Sequence, residues 1–270
     1  MSELQTVILT NAKELIGYSS QICTLFEECF STKMSTDFWR WAYIEKPSGD
    51  PIVAITLDGG KLVGHYAVIP YFLMNNKGEQ IKSALSMTTM VAESHRKYYL
   101  FTSLAEDVYA EMKRQQYNIV CGFPNLLSVS GFRKRLGWEI GEPDFVASVT
   151  KQQLMSSEAL NLFNSNKRRF GFNTLNQPQI EWRLKKPDFN YIKEKGNILK
   201  KYSNGYDLMS INEQTIDYLD EGKRYNVLLD SSIHDLKKYI KFEYQFGHRC
   251  ISNEDENYEF DKSMLMSDVF

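Results

Sequence analysis

Residues Ser86 to Trp138 read SMTTMVAESHRKYYLFTSLAEDVYAEMKRQQYNIVCGFPNLLSVSGFRKRLGW. Met87 to Val91 is apolar and β-branched, which predicts a strand, and Glu93 to Lys97 is a short polar turn. Leu100, Leu104, Val108 and Met112 then recur at helical spacing. A second apolar run, Tyr117 to Phe123, stops at Pro124-Asn125 and leads into another helix, Gly131 to Leu136, that closes on Gly137-Trp138. The order is strand, helix, strand, helix. In a β-turn-α unit the first helical amides have no partner within the helix and point at the turn. The stretch from Arg96 to Phe101 is therefore a seat for a phosphate group, and Arg96 and Lys97 add positive charge to it.

The frame Arg96-Lys97-Tyr98-Tyr99-Leu100-Phe101 directly after a strand, with Pro124-Asn125, Ser128 and the Gly137-Trp138 helix end downstream, resembles the GNAT superfamily of acyl-CoA-dependent N-acyltransferases. The likeness extends to its surface-polysaccharide and amino-sugar members. The pyrophosphate loop of that superfamily reads R/Q-x-x-G-x-G/A, and Tyr99 and Phe101 stand here at the two glycine positions. The resemblance implies an α/β fold of the GNAT type, α+β with a mixed sheet, and acetyl-CoA or another acyl-CoA as the donor. It implies that strand amides near Met90 and Val91 polarise the thioester carbonyl. It also implies that Arg96, Lys97, Tyr98, Tyr99, Leu100 and Phe101 surround the pyrophosphate, that Asn125 holds the pantetheine arm or the amine side, and that Ser128 and Phe132 belong to the coenzyme-binding set. Transfer then needs no covalent intermediate, because the acceptor amine attacks the thioester directly in a ternary complex.

The 270 residues exceed one average domain of roughly 150, and 43% are hydrophobic, enough for a sizeable core. A net charge of −2 excludes bulk electrostatic binding of nucleic acid, which needs a basic face. No apolar stretch approaches the roughly 18 residues of a spanning helix, and the first residues lack a signal-peptide pattern. The expected location is the cytoplasm, and a homodimer is open to the chain. The four cysteines form no CxxC pair and the four histidines are scattered, so free thiols and no metal site are expected.

Before the deciding stretch, Asn11 to Phe30 is helical, and the aromatic Phe38-Trp39-Arg40-Trp41-Ala42-Tyr43 is either a core helix or a wall for a sugar or nucleotide ring. Pro51–Leu57, Lys61–Met74 and Gln80–Val91 read as an antiparallel meander with turns at Asp58-Gly59-Gly60 and Asn75 to Gly78. After it the composition turns polar and includes a basic cluster, Lys167-Arg168-Arg169. The expected domains are 1–149, binding acyl-CoA, and 150–270, an α+β part completing the acceptor pocket. A faint echo links Phe38–Pro47 to Ile180–Pro187, each with a Trp shortly before a Pro and a hairpin after it. It suggests that the C-terminal part is a truncated second GNAT-like half. Ser231 to Phe246 reads as a helix and the last eight residues as a final strand.

The fourth-strand carboxylate that many GNAT relatives use as a base is missing from Ala84 to Thr89. His65 is the candidate instead, because simple hairpin pairing sets it opposite Thr88, where it deprotonates the amine directly or through a water on Thr88. Thr88 and Asn125 complete the expected catalytic set. The leading acceptor is an amino sugar, nucleotide-linked. Other acceptors are another small amine or a protein amine, and a degenerate, non-catalytic binding module is the reading from a different class.

Overall fold

A computed structural model describes residues 3–160, 169–202, 205–210, 216–252 and 256–267. The cluster at Lys167-Arg168 and the end of the chain from residue 268 lie outside them. The elements are β1 (Leu4–Leu9), α1 (Ala12–Ile16), α2 (Ser19–Phe30), α3 (Thr36–Tyr43), β2 (Ile52–Asp58), β3 (Lys61–Met74) and β4 (Gln80–Val91). A 3-10 turn, Glu93–Tyr98, leads to α4 (Leu100–Arg114), β5 (Ile119–Gly122), α5 (Val129–Arg135), β6 (Glu139–Ile140), β7 (Asp144–Thr150) and α6 (Lys151–Met155). Then come β8 (Arg169–Phe172), α7 (Gln177–Leu184), β9 (Tyr191–Glu194), β10 (Asn197–Tyr202), β11 (Gly205–Ser210), β12 (Arg224–Leu229), β13 (Ile240–Tyr244), β14 (Gly247–Cys250) and β15 (Glu259–Phe260). No described helix is long and apolar enough to cross a membrane.

The meander forms as its turns dictate. Gly59 and Gly60 both take positive φ (56° and 86°), the conformation a tight hairpin turn needs, and β2 pairs with β3 across it. At the next turn the Asn75 side-chain oxygen accepts from the Lys77 and Glu79 amides, and Gly78 takes φ 79°. Along β3 successive side chains alternate between faces. Gly64 lies under α4, where an added Cβ would stand 2.9 Å from Leu104 Cδ1, while His65 faces the Tyr43 ring of α3 on the opposite side. Leu100, Leu104, Val108 and Met112, the stripe seen in the sequence, are all buried beneath α4.

Two mixed sheets result, the first in the order β1-β2-β3-β4-β5-β14-β6 and the second β13-β7-β12-β11-β10-β9. Written from the hairpin inward, β2-β3-β4-β5-β14-β6 and β9-β10-β11-β12-β7-β13 have the same pattern. β4 with β5 and β11 with β12 are parallel, and every other neighbouring pair is antiparallel. The chain is thus two halves of like topology that have exchanged a strand: β7, from the first half, lies in the second sheet, and β14, from the second half, lies in the first. The connection between β11 and β12 is shorter than its counterpart, 13 residues (211–223) against the 27 (92–118) between β4 and β5.

This arrangement departs from a division at residue 149. β7 belongs to the far sheet and β14 and β8 to the near one, since each half lacks the strand that covers its own parallel pair. The sequence echo is real at the interface. Trp41 of α3 and Trp182 of α7 stack at 4.8 Å with planes 6° apart. Each indole N–H donates to the other residue's carbonyl at 2.8 Å, a local twofold. Trp39, Trp41 and Tyr43 are therefore core and not a ligand wall. Ser231 to Phe246 is not helical, because its second half pairs with β7 as β13. The segment before residue 268 is a short buried 3-10 turn, Met264–Met266, rather than a strand.

Candidate active site

The site is set by where β4 and β5 part. They pair in parallel at Ser83–Ile119, Ala84–Val120 and Leu85–Cys121 only. Gly122 still sits against β4, since a Cβ there would meet the Ser86 carbonyl at 3.2 Å. Beyond it the β4–β5 ladder ends, and the Phe123 ring stacks on Tyr244 at 4.9 Å and meets the tilted ring of Phe246 at 5.3 Å, both in the C-terminal half. Past Leu85 the β5-facing edge of β4 has no strand partner. That opening lies at the end of the β4–β5 ladder, directly before the turn into α4.

β4 is bulged at this point, since His65 pairs with Met90 but Ala67 with Met87. Thr88 takes φ 48°, a left-handed conformation that is a genuine outlier for a β-branched residue and costs on the order of 1–3 kcal/mol. Two neighbours hold it. Tyr43 Oη is hydrogen-bonded to Thr88 Oγ1, and His65 Nδ1 lies 2.8 Å from the Thr88 carbonyl. A carbonyl only accepts, so Nδ1 carries the proton and Nε2 presents a bare lone pair, buried without a hydrogen-bond partner.

The expected register therefore shifts: His65 lies across from Met90 and not Thr88, one residue coming from the turn and one from the bulge. His65 is fully buried, and burial pushes its pKa down to about 4 against the raising effect of the Thr88 carbonyl. A ring with no open edge has no route for the proton of an acceptor amine. His65 braces the bulge.

The turn after β4 brings the predicted phosphate residues together. Tyr99 takes φ 58°, so the left-handed conformation that a glycine would supply at this position is present with a Tyr side chain, which projects into solvent at 75% exposure. Thr102 and Ser103 donate back to the Tyr99 carbonyl, which leaves the Leu100 and Phe101 amides at the open end of α4. Lys97 Nζ lies over the Tyr98 ring at 5.2 Å, and no described residue forms an ion pair with Arg96. The side chains at the glycine frame turn away from the turn. Leu100 is buried, and the Phe101 ring packs on Gly131 and, at 5.4 Å, on Phe132.

Other expected contacts are structural. Phe132 is buried between Phe101 and Trp138, so its ring does not line a ligand channel. The Asn125 side-chain oxygen accepts from the Leu127 and Ser128 amides at 3.1 and 3.0 Å, and Ser128 Oγ donates to the Asn125 carbonyl. Together they close the turn into α5 at the surface. Met90 is buried, whereas Val91 is half-buried and its carbonyl faces the Cys29 thiol at 3.6 Å.

Two features escaped the sequence reading. One is a polar chain under β4, in which Trp138 Nε1 donates to Tyr109 Oη, Tyr109 and Tyr66 hydroxyls meet at 2.8 Å, and Ser86 Oγ donates to Tyr66 Oη at 3.0 Å. Burial raises both tyrosines far above their ordinary range, so they stay protonated. The other is an open cavity of about 720 Å³ beside the turn, lined among others by Glu28, Asp58, Glu93, His95 and Arg96. In it His95 Nε2 lies 3.0 Å from Asp58 Oδ2, and His95 Nδ1 lies 2.8 Å from Ser94 Oγ. This is an imidazole oriented by a carboxylate. Asp58 is 37 residues from His95 in sequence, and only the hairpin turn brings the two together.

The site thus combines a parallel pair that parts beside a bulged strand with a helix N-terminus flanked by Arg96 and Lys97. Residues 16–141 match the family model described as an acetyltransferase (GNAT) domain. The match spans a little under half of the chain, which is similar to an acetyltransferase (GNAT) domain there. No curated protein sequence matches the chain.

Solved structures show the same fold across both halves. A GCN5-related N-acetyltransferase from Kribbella flavida is 12% identical, with a TM-score of 0.63 over 93% of this chain and 72% of that one. A probable N-acyltransferase from Enterococcus faecalis V583 is 9% identical, with a TM-score of 0.64 over 92% and 73%. A putative acetyltransferase from Pyrococcus horikoshii is 8% identical, with a TM-score of 0.55 over 94% of each chain.

Proposed function

We propose that the protein transfers an acyl group, acetyl first among them, from acyl-CoA to a primary amine by direct attack. The observation that carries this reading is the divergence of β4 and β5 beside the Arg96–Phe101 turn. The open strand edge takes the thioester end, and the Leu100 and Phe101 amides with Arg96 and Lys97 take the pyrophosphate. The amides on either side of the Thr88 bulge, through Met90 and Val91, polarise the carbonyl. The leaving thiolate takes its proton from solvent at the open strand edge.

An ammonium acceptor must lose a proton before it attacks. His95 faces the open cavity, and we assign it that task, relayed through Ser94 with Asp58 fixing the ring. The acceptor we favour is a nucleotide-linked amino sugar, on the strength of Phe101 at the second glycine position and the long C-terminal half. The buried aromatic segment lends this choice nothing. Another small amine or a protein amine fits the same chemistry.

Thiol release from acetyl-CoA, measured against a panel of amino sugars, polyamines and peptides, tests the reading. Turnover with one acceptor class, lowered roughly 10²-fold in His95→Gln with coenzyme affinity intact, is expected. Coenzyme binding with no turnover on any amine would favour a non-catalytic binding module.

A further inference from the structure

On the far side of the sheet from the turn, β14 is inserted between β5 and β6, and its register puts His248 directly across from Glu139. Cys250, two residues on, shares the His248 face of the strand. The three candidate ligand atoms, one from each of Glu139, His248 and Cys250, all lie within 4.8 Å of one another. No other such group of three occurs among the described residues.

His248 is 92% buried by its 8% exposure, yet its Nε2 has no hydrogen-bond partner. The nearest opposite charge is Glu139 Oε2 at 3.8 Å. A buried imidazole nitrogen left without a partner is destabilising, and this one faces a carboxylate with a thiol close by.

We propose that Glu139, His248 and Cys250 bind a divalent cation of the zinc type, which staples β14 of the second half onto β6 of the first. The donor set is one nitrogen, one sulfur and one carboxylate oxygen, which suits zinc and not the oxygen-seeking calcium or magnesium. Zinc bonds of about 2.0–2.3 Å put neighbouring ligand atoms of a tetrahedral site roughly 3.5 Å apart, and His248 Nε2 and Glu139 Oε2 already stand 3.8 Å apart. The charges balance. Cys250 gives its thiol proton to solvent on binding, so a thiolate and a carboxylate neutralise the cation while the imidazole stays neutral. Cys250 Sγ lies 3.3 Å from the Glu256 carbonyl, a contact that the thiolate gives up.

The surroundings favour a cation. Glu139 is largely exposed, which leaves an entry path and a fourth position for water. The adjoining cavity of about 390 Å³ carries Glu142, Asp144, Asp230 and Glu259 against Arg169 and Lys262, an acidic surplus that draws cations in.

The test is titration of the reduced full chain with Co²⁺, then displacement by Zn²⁺. The expected result is one Co²⁺ per chain with thiolate-to-cobalt charge-transfer absorption, bleached by Zn²⁺ and absent in Cys250→Ser. Glu139→Gln, on the surface and harmless to folding, should weaken Zn²⁺ binding at least tenfold. Zn²⁺ should raise the melting temperature of the wild type and not of His248→Ala. A cobalt complex without thiolate absorption, or equal Zn²⁺ uptake by the wild type and the Glu139→Gln variant, would overturn the proposal.

Discussion

His65 shows how a residue's chemistry follows from its register. The sequence offers a histidine on the right strand, and only the bulge, which adds a residue to β4, decides that it pairs with Met90 and hides its ring. Its pKa, about 4 in the fold and near 6.5 in the unfolded chain, fixes the sign of its pH effect. Above pH 6.5 the ring is neutral in both states and nothing is lost. As the pH falls from 6.5 to 4 the unfolded chain takes up a proton that the fold refuses, so stability drops by about 3 kcal/mol and then levels off. Urea unfolding of His65→Gln at pH 7 and pH 4.5 should lack this component. Parallel losses in variant and wild type would remove it.

Tyr99 is the second case. The turn after β4 keeps a left-handed residue without the glycine, so the sequence motif looks broken where the backbone is not. Tyr99→Gly should stabilise the protein by about 1 kcal/mol and tighten coenzyme binding. A lower melting temperature in that variant would mean that the exposed ring is itself needed.

Among the elements, the ones legible in sequence are those whose pattern and burial agree. β2 to β4 alternate or are wholly apolar, α4 carries an unbroken stripe, and the turns at Gly59-Gly60 and Asn75–Gly78 have the residues their backbones require. β13 was not legible, because Ile233, Leu236, Ile240 and Tyr244 fall at helical spacing. Pairing with β7 overrides that local pattern. The echo between residues 38–47 and 180–187 was visible only as two tryptophans, whereas the structure turns it into the Trp41–Trp182 pair that joins α3 to α7. Trp41→Phe keeps an aromatic ring in the stack and deletes one N–H, so the Trp182 carbonyl loses one of its two donors and keeps the Lys185 amide. The lost hydrogen bond should cost about 0.5–1.5 kcal/mol, seen as a lower urea midpoint at unchanged slope. An unchanged midpoint would mean that stacking alone joins the halves.

For the whole molecule, the exchange of β7 and β14 makes the two halves one folding unit. No periodicity could reveal this, because both strands look like ordinary members of their own half and only the sheet order records the swap. A fragment ending at residue 149 would leave β7 without its sheet and expose the edge of β5 that β14 covers. It should be aggregation-prone and inactive, checked by its solubility and by thiol release. A soluble, fully active fragment would show that the second half is dispensable.

The central claim is that the turn between β4 and α4 seats the pyrophosphate of an acyl-CoA. It is tested most directly by calorimetric titration of coenzyme A into the wild type and into Arg96→Glu. Arg96 has no ion-pair partner among the described residues, so the substitution should spare the fold while setting a negative charge against the phosphates. Saturable one-to-one binding by the wild type, weakened at least a hundredfold in Arg96→Glu with an unchanged melting temperature of the free protein, is the predicted result. Equal affinity in the two proteins, or no binding by the wild type at millimolar coenzyme, would contradict it.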